Sequence, residues 1–393
     1  NPSVEVAKKL NIEICELKIH KDQPEGLFDL FDNKSDYSSP NENDEALVLH
    51  TSGTTSRPKI VPLSNNNIYS SSENISKSLS LTDNDHCLNI MPLFHIHGLI
   101  AVLATSMKVG ASVCASSGFN ALKFLDLARL EKITWYSGVP TMHQAILLRA
   151  NKNKEAAKNL NLRLIRSSSA SLPPAVFKDL NEAFNCPVIE AYGMTEATHQ
   201  MTSNPLPPKQ QKAGFVGLPA GPEVCIMSEN GDMMKQGEEG EVCIKGENVT
   251  LGYENNEEAN KTSFTNGWFR TGDQGYFDED GYLKISGRLK EIINKGGEKI
   301  SPLEVDNVLM DHPSIDQAVC FGYEDKMLGE NIASAIIIKS GEMCSEEDVL
   351  KYAQEKLAKF KIPKKIFFVD EIPKGATGKL QRNVLAKKFG LSS

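Results

Sequence analysis

The stretch Ala46-Leu-Val-Leu-His-Thr-Ser-Gly-Thr-Thr-Ser-Arg-Pro-Lys59 joins a short apolar run to a loop rich in Gly, Ser and Thr. The run Ala46–Leu49 has the length of a buried strand, and a helix is expected to open near Ser64. In such a strand–loop–helix unit, Gly53 lets the backbone approach an anion, successive N–H groups form a nest for phosphate, and Lys59 adds a mobile positive charge. The Walker pattern G-x-x-x-x-G-K-S/T is absent. The residues expected to hold phosphate are Thr51, Ser52, Gly53, Thr54, Thr55 and Lys59.

The segments after this loop alternate between strand-like and helix-like patterns. Five short apolar runs predict strands: Cys87–Met91, Ala111–Cys114, Ile133–Tyr136, Leu162–Arg166 and Val188–Ala191. Helical patterns lie between the runs at Ala121–Leu130, Thr141–Ala150 and Pro174–Phe184. This alternation predicts an α/β fold with a doubly wound, mostly parallel sheet.

The pattern changes from about residue 214 to short β-rich pieces, such as Glu241–Lys245 and Tyr282–Ile285, which predict a β-rich subdomain. An α+β pattern then begins, and the domain boundary is placed at Gly287–Lys290. The expected organisation is therefore a large N-terminal domain over residues 1–287 and a small α+β domain over residues 288–393.

The composition limits the class of protein. With 393 residues, of which 40% are hydrophobic, the chain can bury a sizeable core. Its net charge of -8 argues against a nucleic-acid partner, but from Lys351 onward 11 basic residues accompany only 3 acidic ones, and this tail is expected to meet an anion. Eight scattered cysteines without a C-x-x-C pair predict reduced thiols in a cytoplasmic compartment. No run reaches the ~18 apolar residues of a membrane helix, so no membrane partner is expected.

The segment Glu190-Ala-Tyr-Gly-Met-Thr-Glu196 ends a predicted strand in a glycine turn. A carboxylate such as that of Glu196, placed beside a phosphate site, is a common ligand for Mg²⁺. The ring of Tyr192 offers an apolar face for adenine. Taken alone, the segment fits equally well a packed tyrosine followed by the start of a helix, so its interpretation depends on the other motifs.

Two further glycine-containing motifs lie nearer the C-terminus. In Trp268-Phe-Arg-Thr-Gly-Asp273, the last carboxylate can accept two hydrogen bonds from ribose hydroxyls, and the nearby Arg288 can donate to the sugar or to phosphate. The alternative is a surface Asp–Arg pair of little energetic value. In Pro373-Lys-Gly-Ala-Thr-Gly-Lys379, two glycines form a turn that presents the final lysine, although a single lysine in a turn is by default only exposed.

In this order and at this spacing, the four motifs resemble those of the adenylate-forming superfamily, which includes acyl-CoA synthetases, luciferase-like enzymes and peptide-synthetase adenylation domains. The resemblance covers nearly the whole chain and implies a large N-terminal domain with a small mobile C-terminal domain that swings about Lys290. It implies the use of ATP, Mg²⁺ and coenzyme A. It further implies that Glu196 ligates Mg²⁺ beside Thr195 and that Lys379 catalyses adenylation.

The same resemblance implies the rest of the nucleotide site and the path of the thiol. Asp273 and Arg288 would hold the ribose. The adenine pocket would be formed by Ser169, Ala170, Glu190, Ala191 and Tyr192. The thiol path would be lined by Lys295, Gly296 and Gly297. Because a carboxylate that attacks an α-phosphate is an anion approaching an anion, Lys379 and Mg²⁺ would supply the positive charge that this step needs.

The ends of the chain carry further expectations. The family is longer at its N-terminus by about a hundred residues, and the first residue here is Asn1, so the large domain is expected to lack its first part. The final Leu391-Ser-Ser393 differs from the Ser-Lys-Leu peroxisomal signal, which favours a cytoplasmic location over the peroxisomal one that family analogy allows. A monomer or a homodimer is expected.

The segments that line the acid pocket in the superfamily are polar in this chain. Long or aryl acids need apolar walls, whereas hydroxyl and imidazole groups suit a small acid whose second carboxylate needs hydrogen-bond donors. A histidine can also become charged near neutral pH and pair with that carboxylate. The resemblance therefore implies His95, His97, Ser168 and His199 as the substrate contacts.

A narrower resemblance rests on three strings: Pro92-Leu-Phe-His-Ile-His-Gly-Leu99, Thr195-Glu-Ala-Thr-His-Gln-Met-Thr-Ser-Asn-Pro205, and the Ser-Arg-Pro-Lys59 variant of the phosphate loop. These strings resemble the oxalate-activating members of the superfamily. That resemblance implies the conversion of oxalate, ATP and CoA to oxalyl-CoA, AMP and pyrophosphate. A CoA ligase for another short or aryl, coumarate-like acid and a non-catalytic nucleotide-binding fragment stay open as alternatives.

Overall fold

The computed structural model describes residues 2–12, 14, 18–19, 28–29, 39–51, 58–375 and 378–391. The chain forms two compact units, residues 1–41 and residues 42–393. In the first unit, helix α1 (Pro2–Lys9) is described together with an antiparallel pair of short strands, β1 (Lys18–Ile19) and β2 (Phe28–Asp29). The remaining elements belong to the second unit.

Strands β3 (Glu45–His50) and β4 (Ile60–Ser64) form an antiparallel pair on either side of the expected phosphate loop. The prediction of a strand at Ala46–Leu49 is confirmed, but the prediction that it is buried is wrong. In the described part of the chain β3 pairs with β4, and alternate side chains, such as Val48, stay exposed. The buried strand of this pair is β4, where Val61 and Leu63 are fully buried.

Helix α2 (Asn65–Ser78) begins where the sequence predicts an opening. The hydroxyl of Ser64 accepts a hydrogen bond from the N–H of Asn67 at 3.1 Å, and the side-chain oxygen of Asn67 accepts one from the N–H of Ser64 at 2.9 Å. This reciprocal capping box satisfies two amide groups that a helix start leaves without an internal partner. It joins the end of β4, the strand that follows the expected phosphate loop, directly to α2.

The large sheet has seven strands in the order β11-β10-β9-β8-β7-β5-β6. The strands are β5 (His86–Asn89), β6 (Ser112–Ala115), β7 (Trp135–Gly138), β8 (Leu164–Ser167), β9 (Val188–Met194), β10 (His199–Ser203) and β11 (Leu218–Pro219). Pairing is parallel from β5 to β9, and β10 and β11 are antiparallel additions. The predicted mostly parallel sheet is confirmed.

Both faces of this sheet are covered, as a doubly wound sheet requires. The helices around it are α3 (Thr105–Lys108), α4 (Phe124–Leu130), α5 (Pro140–Lys152), α6 (Lys154–Lys158) and α7 (Pro174–Phe184), with a π-helical segment at His97–Ala104. On one face Tyr136 and Ile165 join the core formed with α4, α5 and α7. On the other face Trp135 and Leu164 pack against α2 and the π-helical segment. Because successive strand residues point to opposite faces, apolar runs without alternation are what this arrangement needs.

A second sheet is antiparallel and carries the β-rich subdomain. Its strands are β12 (Glu223–Met227), β13 (Gly240–Lys245), β14 (Phe264–Thr265), β15 (Trp268–Phe277) and β16 (Leu283–Arg288), and helix α8 (Glu257–Ser263) precedes β14. The register of β15 and β16 sets Asp273 opposite Arg288. This pairing brings two motifs that are distant in sequence to one point.

The third sheet belongs to the C-terminal part of the chain. Its strands are β17 (Ile293–Lys295), β18 (Glu298–Ile300), β19 (Ile315–Asp325), β20 (Gly329–Ile338) and β21 (Lys365–Phe368), with helices α9 (Pro302–Met310), α10 (Glu346–Lys356) and α11 (Leu385–Lys388). Ile300, Leu309 and Ile336 centre a separate core. Within the stretches that the structure describes, no helix combines the length and the apolar character that a membrane crossing demands.

Candidate active site

A cavity of about 510 Å³ lies between the large sheet, the β-rich subdomain and the C-terminal sheet. It opens beyond the carboxyl ends of β8 and β9, the place where open α/β sheets bind ligands. The predicted site residues that line it are Thr51, Lys59, His95, Ser169, Thr195, Glu196, His199, Arg288, Lys290 and Lys379. Ser52, Gly53, Thr54 and Thr55 lie outside the described residues.

Glu196 sits in the single 3₁₀ turn that follows β9. One of its carboxylate oxygens, Oε1, accepts a hydrogen bond from the hydroxyl of Tyr253 at 2.7 Å. The ammonium of Lys59 lies 4.1 Å from the centroid of the same tyrosine ring, and burial lowers the pKa of Lys59 while the charge of Glu196 opposes that shift. Tyr253 therefore holds the carboxylate of Glu196 and the ammonium of Lys59 side by side, at the C-terminal end of the expected phosphate loop.

The residues present fit an Mg²⁺ ion. Mg²⁺ keeps several waters and takes one or two protein carboxylates together with substrate phosphates, so a single oriented carboxylate beside a phosphate loop suffices. Glu196 provides that carboxylate. The described residues contain no cluster of three or more acidic, histidine or cysteine side chains that would make a protein-only cage.

Asp273 is almost fully buried, and both of its carboxylate oxygens are engaged. Oδ1 lies 3.0 Å from Nε of Arg288, and Oδ2 accepts the hydroxyl hydrogen of Tyr192 at 2.5 Å. Burial raises the pKa of Asp273, whereas the charge of Arg288 works against that rise. The ring of Tyr192 is thereby fixed through its hydroxyl, next to the cavity-lining Gly193.

Lys379 reaches the cavity from the C-terminal sheet domain on a tight turn. The turn closes through hydrogen bonds from the N–H of Gly375 to the carbonyl of Lys379 and from the N–H of Gly378 to the carbonyl of Gly375. Gly378 has φ of +81°, a conformation that favours glycine. The hydroxyl of Thr141, at the start of α5, donates to the carbonyl of Gly378 at 2.9 Å and so docks this turn on the large sheet domain.

The electrostatic surroundings of Lys379 combine two carboxylates and one guanidinium. Burial, followed by the charge of Arg288, lowers the pKa of Lys379 to about 8, while Asp273 and Glu196 oppose the shift. The ammonium form still predominates at neutral pH. The cavity therefore holds a positively charged group whose charge is titratable in a mildly alkaline range.

Other predicted site residues do not line the cavity. Glu190 is buried, its Oε1 accepts from the N–H of Leu172 at 3.1 Å, and burial raises its pKa to about 8. It thus anchors the loop after β8 and does not line the cavity. The predicted residues Ala170, Ala191, Lys295, Gly296 and Gly297 are also absent from the described lining. Lys295 instead donates to the carbonyl of Phe360 at 2.9 Å.

The expected acid end of the site contains a chain of hydrogen bonds. Nδ1 of His97 lies 3.0 Å from the hydroxyl of Ser169, and Nε2 of His97 lies 2.6 Å from the hydroxyl of Ser137. The rings of His97 and His199 are 5.0 Å apart. Ser168 does not reach the cavity, because it is buried and donates to the carbonyl of Ala191. The serine that lines the cavity is its neighbour, Ser169.

The surroundings of the histidines at this end favour the neutral ring. Burial, reinforced by the charge of Arg166, lowers the pKa of His97 and of His199 well below the usual value. Burial lowers the pKa of His95 to about 4, with a further contribution from Lys379. The expectation that a histidine charges near neutral pH is therefore not met, since its surroundings favour the neutral ring.

Three residues at or beside the same cavity have a backbone conformation that is strained for residues other than glycine. Ser169, Thr198 and His199 have φ values of +72°, +48° and +99°. Residues other than glycine rarely adopt such positive φ values, and each one costs about 1–3 kcal/mol of folding free energy. Ser169 and His199 both line the cavity, so two of the three strained residues belong to its acid end.

Sequence reasoning missed three residues at this site: Tyr253, Ser137 and Arg166. Tyr253 and Ser137 carry no local motif and are recognised only through partners far along the chain. Arg166 does carry a signal, since a charged residue ends a predicted buried strand and must find polar partners. It is completely buried in the structure.

The chain matches the AMP-binding enzyme family over residues 3–254 and the AMP-binding enzyme C-terminal domain over residues 304–379. Among curated proteins, it is 48% identical to an oxalate–CoA ligase of Arabidopsis thaliana over 99% of this chain and 77% of the relative. It is 49% identical to an oxalate–CoA ligase of Saccharomyces cerevisiae, over 89% of this chain and 64% of that relative. The chain thus spans less than the full length of these relatives.

Solved structures give the same result. ATP-bound MatB from Rhodopseudomonas palustris superposes with a TM-score of 0.84 at 32% identity, covering 89% of this chain and 69% of that one. The o-succinylbenzoate CoA synthetase MenE from Bacillus subtilis, in complex with an acyl-adenylate intermediate, superposes with a TM-score of 0.78 at 34% identity, covering 88% and 69%. The chain therefore belongs to the AMP-binding enzyme family.

Proposed function

We propose that the chain is an acid–thiol ligase that adenylates oxalate with ATP and transfers the oxalyl group to CoA, giving oxalyl-CoA, AMP and pyrophosphate. One observation carries the proposal: a single cavity joins a phosphate end, with Lys59, Glu196 and Lys379, to an acid end lined by Ser169 and His199. The oxalate–CoA ligases at 48% and 49% identity support the choice of acid.

In the first half-reaction a substrate carboxylate attacks the α-phosphate of ATP and pyrophosphate leaves. Both reactants are anions, so catalysis requires positive charge where negative charge accumulates. Lys379 supplies a mobile ammonium, and Arg288, held by Asp273, supplies a fixed guanidinium. When bound at Glu196, Mg²⁺ neutralises part of the phosphate charge. Thr195 lies beside this carboxylate on the cavity wall.

The nucleotide and thiol assignments extend this proposal to the rest of the site. Adenine lies against Tyr192 and the loop of Ser169 and Ala170, while Glu190 and Ala191 support that wall from behind. The ribose lies at Asp273 and Arg288. CoA approaches along Lys295, Gly296 and Gly297 in the second half-reaction.

The second half-reaction requires a rearrangement of the C-terminal domain. Lys379 fills part of the cavity while the Thr141 hydroxyl holds its turn. For a thiol to reach the adenylate, the domain swings about Lys290, which breaks that bond and withdraws the lysine. The two half-reactions then use the same cavity with two different positions of the C-terminal domain.

The acid end suits a short diacid. Nε2 of His199 is buried without a partner in the described structure, and His199 and Ser169 both line the cavity. A second carboxylate, with oxygens that only accept hydrogen bonds, satisfies such donors. A coumarate-like ring would leave them unpaired against an apolar surface.

An acid panel tests the proposed function. ATP, CoA and Mg²⁺ are supplied with oxalate, glyoxylate, malonate, acetate or coumarate, and the thioester is identified by mass spectrometry together with AMP. We expect the highest kcat/KM with oxalate. An equal or higher value with acetate or coumarate would contradict the choice of acid, and nucleotide binding without AMP formation from any acid would favour a non-catalytic role.

The pH dependence of the reaction is a separate prediction. Because Lys379 acts as an ammonium and its pKa is about 8, charge is present below that pH and is lost above it. We expect kcat/KM for ATP, measured from about pH 6 to about pH 10, to fall as pH rises through about 8. An unperturbed lysine would keep the profile flat to about 10. In Lys379→Arg the fall in kcat/KM should no longer occur between about pH 6 and about pH 10, because an arginine stays charged there. A fall that persists in this variant would show that another group titrates.

A further inference from the structure

Arg166 lies on β8, on the face of the sheet that packs against α2 and the π-helical segment, and is completely buried. Other shielded arginines face carboxylates: Arg270 lies 2.6 Å from Glu241, and Arg382 lies 2.7 Å from Asp306. Arg166 has no such partner among the residues that the structure describes. A buried charge without a counter-charge is costly. Its partner is therefore expected to be an anion that enters the site.

The hydrogen bonds of Arg166 set the proton on His199. An arginine only donates, and NH2 of Arg166 lies 3.4 Å from Nδ1 of His199. Nδ1 must therefore accept, so the ring proton resides on Nε2. Nε2 is buried and has no partner in the described structure, while the residue lines the cavity. Arg166 thus leaves His199 with one N–H donor for a ligand.

A second chain of hydrogen bonds also begins at Arg166. NH1 of Arg166 donates to the hydroxyl of Ser137 at 3.5 Å, which leaves the hydrogen of that hydroxyl for Nε2 of His97, 2.6 Å away and its nearest acceptor. The proton of His97 is then on Nδ1, which donates to the hydroxyl oxygen of Ser169 at 3.0 Å. Because that oxygen accepts, the hydrogen of Ser169 is available toward the cavity.

Gln200 completes the orientation of the guanidinium. Its Oε1 accepts from NH2 of Arg166 at 3.1 Å, while its own amide nitrogen donates to Ser78 and to the carbonyl of Ala220. The amide is held with its oxygen toward Arg166. All fixed partners of the guanidinium are therefore neutral, and its charge is left for the contents of the cavity.

We propose that Arg166 is the positioning residue that makes this site specific for a diacid, because it directs the donors of His199 and Ser169 into the cavity and places a fixed positive charge behind them. The inference rests on the proposed adenylation of a short diacid and names the device that recognises its second carboxylate. A monoacid of the same size leaves two donors unpaired and a buried charge uncompensated, which disfavours it.

The test compares oxalate with glyoxylate, which has the same number of carbons and one carboxylate. In Arg166→Met we expect the ratio of kcat/KM for oxalate to that for glyoxylate to fall by about 10- to 100-fold, mainly through the KM of oxalate, while the KM of ATP changes by less than about twofold. Arg166→Lys keeps the charge with a different donor geometry and should recover part of the ratio.

Arg163→Met is the matched control on the same polypeptide stretch. Arg163 is paired with Asp85 at 3.0 Å and lies away from the cavity, so its loss should lower the melting temperature and leave the ratio unchanged. Two results for Arg166→Met would overturn the proposal: an equal loss of activity with both acids, or a rise in the KM of ATP as large as that in the KM of oxalate. Either result would mean that Arg166 has only a structural role.

Two outcomes outside this comparison are also decisive. If Arg166→Met does not fold, Ser137→Ala is tested in its place, because it interrupts the hydrogen bonds that run from Arg166 to Ser169. We expect the ratio of kcat/KM for oxalate to that for glyoxylate to fall about threefold to tenfold. An unchanged ratio would overturn the proposal. If the wild-type protein does not use oxalate, the proposed substrate fails, and the ratio is measured with malonate against propionate. A wild-type preference for monoacids in both pairs would overturn the inference itself.

Discussion

Replacing Lys379 with alanine is expected to slow formation of the acyl-adenylate by about 100- to 1,000-fold, the effect of removing one oriented group that stabilises transition-state charge. The residue lines the cavity together with Arg288 and Glu196, feels the charge of Asp273 behind them, and has its turn docked through Thr141. Thioester formation from a supplied acyl-adenylate should stay near the wild-type rate, because the proposed domain movement withdraws the lysine from the cavity before that step.

Single-turnover pyrophosphate release measures the first step, and CoA consumption with pre-formed acyl-adenylate measures the second. Lys374→Ala is the matched control, since Lys374 is exposed in the same turn and does not line the cavity. Equal losses in both steps would show that Lys379 supports the fold of the C-terminal domain and does not act on the adenylation step.

Replacing His199 with alanine is expected to raise the KM of oxalate by about 10- to 100-fold, which corresponds to losing one hydrogen bond to a charged group. Nε2 of His199 is buried without a partner in the described structure, and the residue lines the cavity. The phosphate end is built from other elements, so the KM of ATP should change little.

His143→Ala controls for the loss of a buried ring. His143 is as buried as His199, lies near the hydroxyl of Tyr136 at 3.2 Å, and does not line the cavity. We expect this variant to be less stable without a selective change in the KM of oxalate. An unchanged KM of oxalate in His199→Ala would remove that residue from the acid pocket.

The regular elements could be predicted from the sequence because their physical cause is local. Pro174–Phe184 is a helix with the predicted bounds, and the strand at Val188 begins where its apolar run begins. The parallel arrangement follows from alternation along the chain. At Ala46–Leu49 the same reasoning failed for burial, because an apolar run does not reveal which neighbours will cover it.

The acid end could be predicted in composition but not in detail. The run Ser167–Ser169 indicates a polar wall, yet which hydroxyl faces the cavity depends on the φ of +72° at Ser169, a conformation that sequence periodicity does not encode. Arg166 meets Ser137 and His199 through strand pairing across distant segments. Burial, and after it the charge of that arginine, lowers the pKa of His97 and of His199, and neither cause can be read from the local sequence.

The exchange of labelled pyrophosphate into ATP, without CoA, tests the formation of an oxalyl-adenylate most directly. Exchange requires a reversible adenylation step at the cavity and is independent of the later thiol transfer. We predict exchange that depends on oxalate, exceeds that with acetate or coumarate, and is lost in Lys379→Ala. Binding of ATP without exchange in the presence of oxalate would contradict the account.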